Sequence, residues 1–213
     1  MEPAAARERR GGHRNGHTAT GGWCLMAVDV PLMAFLAGLA IATALAVRAR
    51  SREGEAGTMT MLDSGLAFSV VGLLSSGWTY AIHNSILDSG DTTMCASEGL
   101  VQCGSVIGDP DWNNLFGIPW GITGLLSFSL LFFLFLSLRM DMHAKWADSF
   151  TTYSLLAGLA GVPFVIFLVF VELTQVEGAP HICPYCTIAH LSLIGFLVVA
   201  HLVRGRKQSG MWA

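Results

Sequence analysis

Pro180-His181-Ile182-Cys183-Pro184-Tyr185-Cys186 runs directly into an apolar segment that reaches Val203, with Arg204 after it. That is enough chain to cross a bilayer, which takes about 20 apolar residues in a helix. The two thiols therefore stand at a membrane boundary and not in a soluble core. Three positions apart, Cys183 and Cys186 share one helix face with Cβ atoms roughly 5–6 Å apart, whereas a disulfide prefers about 3.8 Å. The first turn of a helix can close that gap. Pro184 suits the first helical position, where its missing N–H is no loss, so Cys183 falls at or beside the cap. The unpaired backbone N–H groups of that turn favour a thiolate, the nucleophilic form of cysteine. The pair reads as exchange-active. Two other readings stand beside it: an idle pair, or half a metal site completed by His181 and His190.

Working outward, the 213 residues are 53% hydrophobic and only 13% charged, about half the charged fraction of a soluble domain. The chain is expected to be an all-α integral membrane protein. No basic stripe points to nucleic acid, and the net charge of −3 matters less than where Lys and Arg fall. Five cysteines suggest two working pairs with Cys24 left over as a small apolar residue.

Residues 1–22 lack periodicity and are rich in Arg, Gly, His and Ala, which predicts a disordered tail. The segment 24–47 is an extra N-terminal hydrophobic helix, apolar from Pro31 to Val47, which also fits a signal segment. Four further spans are expected. They run from about Met61 to Ile82, Leu115 to Leu138, Phe150 to Val171 with a kink at Pro163, and along the Cys-x-x-Cys helix. Gly65, Gly72, Ser75 and Ser76 offer close helix packing in the first of these. Pro119 suits the start of the next, and Trp120 an interfacial belt. A polar loop is expected from His83 to Asn114, and a short cytoplasmic tail at 207–213.

Arg48, Arg50, Arg52, Arg139, Lys145, Arg204, Arg206 and Lys207 collect on one side of these spans, while the loops His83 to Asn114 and Glu172 to Ile182 hold no Lys or Arg. The positive-inside rule makes the first side cytoplasmic and turns both cysteine-bearing regions outward, where disulfides persist. A spanning first segment would carry Arg7, Arg9, Arg10 and Arg14 outward against that rule. The alternatives are a segment lying in the interface, a start at Met26, or a cleaved signal that would invert the core.

The outward loop contains Cys95 and Cys103, with Gly99 between them and Gly104 after. So short a loop closes at little entropic expense, and its glycines permit rearrangement. A mobile pair could visit Cys183 in a mixed disulfide; a plain loop staple is the other reading.

In order, Cys95-x7-Cys103, Asn114-Leu115-Phe116-Gly117-Ile118-Pro119 and Cys183-Pro184-Tyr185-Cys186, with apolar spans between, resemble the vitamin K epoxide reductase family, in the wording of its prokaryotic members. The resemblance covers residues 59–206 as a catalytic membrane domain. It implies a four-helix bundle enclosing a quinone of the menaquinone, ubiquinone or vitamin K type, without a metal. It also implies a multi-pass protein of a bacterial inner or plasma membrane. Electrons would pass from a separate extracytoplasmic thioredoxin-like protein to Cys95 and Cys103, then to Cys183 and Cys186, then to the quinone, supporting disulfide formation. No fused thioredoxin-like domain is expected after Arg206. On the family pattern Cys186 faces the quinone, Cys183 exchanges with Cys103, and Cys95 meets the external reductant. Asn114 matches the asparagine that donates to a quinone carbonyl; capping of the third span by Asn113 and Asn114 is the other reading. Phe116, Trp120, His83 and His190 complete the expected quinone site, with His190 a departure from the tyrosine of animal members. Trp78 either lines the pocket or anchors at the interface. Ser105 is the nearest match to the family's hydroxyl residue after the second loop cysteine.

Three alternatives follow. Vitamin K epoxide or quinone reduction could be the main output of the same chemistry. A metal-handling membrane protein would use His181, Cys183, Cys186 and His190 and leave Cys95 and Cys103 idle. A scaffold with inert disulfides would tolerate serine at all four cysteines.

Overall fold

A computed structural model describes residues 29–90, 97–98 and 100–212; the expectations for the 1–22 tail, Cys24, Met26 and Cys95 lie outside the described residues. Among these, five helices are long and apolar enough to cross a membrane. The first, α1 (Val30–Arg50), starts where Asp29 accepts from the backbone N–H of Leu32 at 3.1 Å, and ends on Arg48 and Arg50. The second, α2 (Gly54–Ser89), stops at Gly90, whose φ of 67° is the left-handed geometry that closes a helix. Its 36 residues make it about 54 Å long, against about 30 Å of hydrocarbon. The helix therefore runs past both expected ends of its span. His83, expected to open a polar loop, lies within α2 and bonds through Nδ1 with the carbonyl of Ile107 at 3.3 Å.

After α2 come two short strands, β1 (Ser97–Glu98) and β2 (Val101–Gln102), a single helical turn α3 (Gly104–Ile107), and a tight hairpin of β3 (Asn114–Leu115) and β4 (Ile118–Pro119). This hairpin corrects the expected start of the third span. Phe116 and Gly117 both take positive φ, 52° and 83°, the geometry that reverses a two-residue hairpin and that a helix cannot contain. The third spanning helix, α4 (Trp120–Met140), begins only after it, with Pro119 at its cap. Then α5 (Ala147–Thr174) runs through Pro163, and α6 (Pro184–Gln208) completes the bundle.

Helices α2, α4, α5 and α6 close a four-helix ring, and α1 leans on α2 with a lesser contact to α6. Small residues set how near the axes come. A Cβ on Gly65 would sit 2.2 Å from the ring of Phe135, one on Gly72 2.2 Å from Phe128, and one on Gly195 2.4 Å from Phe68. Each phenylalanine thus occupies space that only glycine leaves free. α1 is tied in by Ser64, whose Oγ donates to the carbonyl of Ala42 at 2.7 Å. Large side chains such as Ile41, Val47, Leu156 and Ile166 remain exposed on the outside, as a lipid-facing surface requires. The protein is an integral membrane bundle.

The helices sort their ends chemically. At one end Arg206 Nη2 donates to the carbonyls of Ala49 and Arg52 at 2.6 and 2.8 Å, and Arg139 pairs with Asp63 at 2.7 Å. There Trp212 also donates from Nε1 to the Met142 carbonyl at 2.7 Å, so the last described residues fold back on the bundle. Both cysteine regions and Asp29 lie at the other end.

Candidate active site

Cys183 caps α6 as the sequence suggests: Pro184 occupies the first turn, and the Cys183 sulfur accepts from the backbone N–H of Cys186 at 3.4 Å. Both are free thiols. Cys183 is fully buried, and the same apolar cluster holds Cys103, Val106, Ile107, Val176 and Tyr185. Cys103 is disulfide-bonded, and Cys95, its expected counterpart, lies outside the described residues. The two regions meet through backbone pairing. Ile182 N–H donates to the Leu100 carbonyl at 2.9 Å, Gln102 N–H donates to the Ile182 carbonyl at 3.2 Å, and Val101 bridges Ile182 in parallel. The strand leading into Cys103 is thereby laid against the residue preceding Cys183.

Cys186 packs against the edge of that cluster and also lines a cavity of about 360 Å³ within the ring of α2, α4, α5 and α6. Its walls are mostly apolar, including Phe128, Leu131, Phe164, Val165 and Leu193, with a few polar groups among them. That is the composition of a small-molecule site, and its volume falls in the range of roughly 300–1,000 Å³.

Of the expected quinone residues, His83, Trp120 and His190 line this cavity together with Cys186, whereas Asn114 and Phe116 do not. Asn114 neither caps α4 nor reaches the cavity: its Oδ1 accepts from Gly117 N–H at 3.0 Å and its Nδ2 donates to Asn113 at 2.7 Å. The neighbouring Asn113 lines the cavity instead. Phe116 is 97% exposed at the hairpin tip. Trp120 is oriented by its Nε1 donating to the Trp112 carbonyl at 2.8 Å and by the rings of Phe164 and Phe167. Trp78 packs on Tyr185 and not on the cavity. Ser105 sits on α3, facing a separate small pocket.

The four residues of the metal alternative do not form one group: Cys186 and His190 line the cavity with Cys183 beside Cys186, while His181 turns to the end of α5. His181 donates its N–H to the Glu172 carbonyl and bonds through Nε2 with the Glu177 carbonyl at 3.2 Å. No group of three or more His, Cys, Asp or Glu among the described residues is placed to hold a metal ion.

Two residues escaped the sequence reading. Asp29 accepts from the Tyr185 hydroxyl at 2.5 Å, joining α1 to the cysteine motif. Glu172, in the last turn of α5, lines the cavity beside Cys186. Its signal was an acid at the end of an apolar span, which is rare enough in membranes to be read as functional.

A comparison with curated proteins and with solved structures gave no match. The sequence model of the vitamin K epoxide reductase family matches residues 65–201.

Proposed function

Because the chain belongs to the vitamin K epoxide reductase family, and is therefore a membrane oxidoreductase of the thiol, disulfide and quinone class, we propose a specific electron route for it. A thioredoxin-like dithiol on the extracytoplasmic side reduces the disulfide of Cys95 and Cys103. Those thiols reduce Cys183 and Cys186 by exchange, and the Cys183–Cys186 dithiol passes two electrons and two protons to a quinone. One dithiol becomes a disulfide and one quinone becomes a hydroquinone, so the physiological output is disulfide formation in the partner.

The observation that carries this reading is the division of surroundings between the two motif thiols. Cys186 opens on an apolar cavity, while Cys183 is buried in the cluster that contains Cys103. An electron relay needs that division, because each exchange step requires a sulfur to approach along the S–S axis of its target. An idle pair does not. The extracytoplasmic orientation rests on the basic residues at the opposite end of the bundle. Asn113, His83 and His190 supply polar groups from three directions around the cavity, which would orient the quinone oxygens.

Steady-state reduction of a short-chain naphthoquinone tests the route, with either dithiothreitol or a reduced thioredoxin-like protein as donor. C186A should abolish turnover with both donors. C103S should abolish turnover with the protein donor and retain it with dithiothreitol, which can reach Cys183 directly. Full activity of C186A, or equal loss with both donors in C103S, would overturn the route.

A further inference from the structure

Glu172 is 4% exposed, sits in a membrane-spanning helix, and its Oε1 has no hydrogen-bond partner among the described residues. A buried carboxyl left partly unsatisfied is expensive in a low-dielectric site, and among the described residues no basic side chain lines the cavity to offset it apart from His83 and His190. The carboxyl instead lies in electrostatic contact with the Cys183 backbone N–H and the Cys186 side chain. Its own main chain is held: the carbonyl of Glu172 accepts from His181 N–H at 2.9 Å, fixing the end of α5 against the segment that delivers Cys183. The carboxyl thus lines the cavity, from a neighbouring helix and with an oxygen free, beside the one thiol among the described residues that opens on it.

We infer that Glu172 is the acid–base residue of the cavity, taking the proton of the Cys186 thiol and delivering it to the oxygen of the bound quinone. This deepens the proposed function and rests on that reading. Dithiol oxidation by a quinone needs the Cys186 sulfur stripped of its proton before its electrons can leave, and an oxygen that gains charge must gain a proton. One carboxyl in contact with the thiol and facing the cavity does both. Glu172 Oε accepts the Cys186 proton; the Cys183–Cys186 S–S bond forms as two electrons pass to the quinone; Glu172 returns its proton to one quinone oxygen. The second proton, lost by the Cys183 thiol, reaches the other oxygen by a second passage through the same carboxyl. Two thiols and one quinone thereby become one disulfide and one hydroquinone, and Glu172 ends as it began.

The test is a single turnover of the full-length protein in detergent. Wild type, E172Q and E172D, each with the Cys183–Cys186 pair reduced beforehand and verified by alkylation, are mixed with a water-soluble naphthoquinone, and hydroquinone formation is followed by absorbance. E172Q should be slower by about 100-fold, the lower range for loss of a positioned acid–base group. Its half-saturating quinone concentration should stay within about threefold of wild type, since a shape-matched amide leaves the walls unchanged. E172D, whose charge is kept but withdrawn by one methylene, should fall between them, more than threefold slower than wild type. An E172Q rate within threefold of wild type overturns the assignment while leaving the electron route standing. If E172Q does not melt as wild type does, E172D decides: a rate within threefold of wild type overturns the assignment. Wild type that forms no hydroquinone overturns the route and this inference together.

Discussion

The contact that binds α1 to the active-site helix is a hydrogen bond between residues far apart in sequence, and its removal should be measurable. Tyr185 is 1% exposed, its hydroxyl donates to Asp29 Oδ2 at 2.5 Å, and its ring meets Phe35 of α1 edge-on at 6.1 Å and Trp78 of α2 at 6.2 Å. A hydrogen bond to a charged group contributes about 1.5–3 kcal/mol. Asp29 is only half-buried, so water can replace the lost donor, and the lower end applies. Y185F keeps the ring contacts and should cost about 1.5 kcal/mol. D29A loses the same bond and also the cap on Leu32 N–H, a further loss of about 1 kcal/mol. Once Asp29 is gone the tyrosine hydroxyl has nothing to donate to, so D29A/Y185F should be no less stable than D29A, giving a coupling of about 1.5 kcal/mol in a double-mutant cycle. Reversible unfolding in mixed dodecylmaltoside and SDS micelles, followed by circular dichroism, supplies the four stabilities. Additivity within about 0.5 kcal/mol would refute the argument that α1 is clamped to the cysteine motif and is part of the working bundle.

Two further predictions concern packing and orientation. G65A should destabilise the bundle by about 1–3 kcal/mol, because its Cβ would meet Phe135 at 2.2 Å. G77A, whose Cβ would stand 3.7 Å from Leu125, should be neutral. Equal melting of the two in detergent would count against the Phe-on-Gly account. In a cysteine-free background, L100C at the cysteine end should react with a membrane-impermeant maleimide in intact cells, and S209C at the basic end only after permeabilisation. The reverse pattern would invert the orientation.

The legibility of the chain divides along a physical line. Spans, the segregation of basic residues and the capping of α6 by Cys183 were all readable, because each depends on composition or on neighbours within one helical turn. The limits of α2 and α4 were less so. Hydropathy falls at His83 although the helix continues to Ser89, and Leu115 is apolar although two positive-φ residues fold it into a hairpin. Which faces turn inward was readable only where small residues marked a packing face, as Gly65 and Gly72 do on α2. The spanning helices are apolar nearly all round, so no polar face marks the outside as it would in water. Their rotation is set by where phenylalanine rings find glycines on another helix, as Phe135 does at Gly65 and Phe128 at Gly72. Those pairings decide that Cys186, His83, Trp120 and His190 share one cavity with Asn113, while Asn114 and Phe116 remain in the hairpin. They also decide that Glu172 arrives beside Cys186 from α5. The sequence by itself determined a membrane bundle with its thiols at one end; tertiary packing decided what those thiols face, because only the meeting of helices gives an apolar surface an inside.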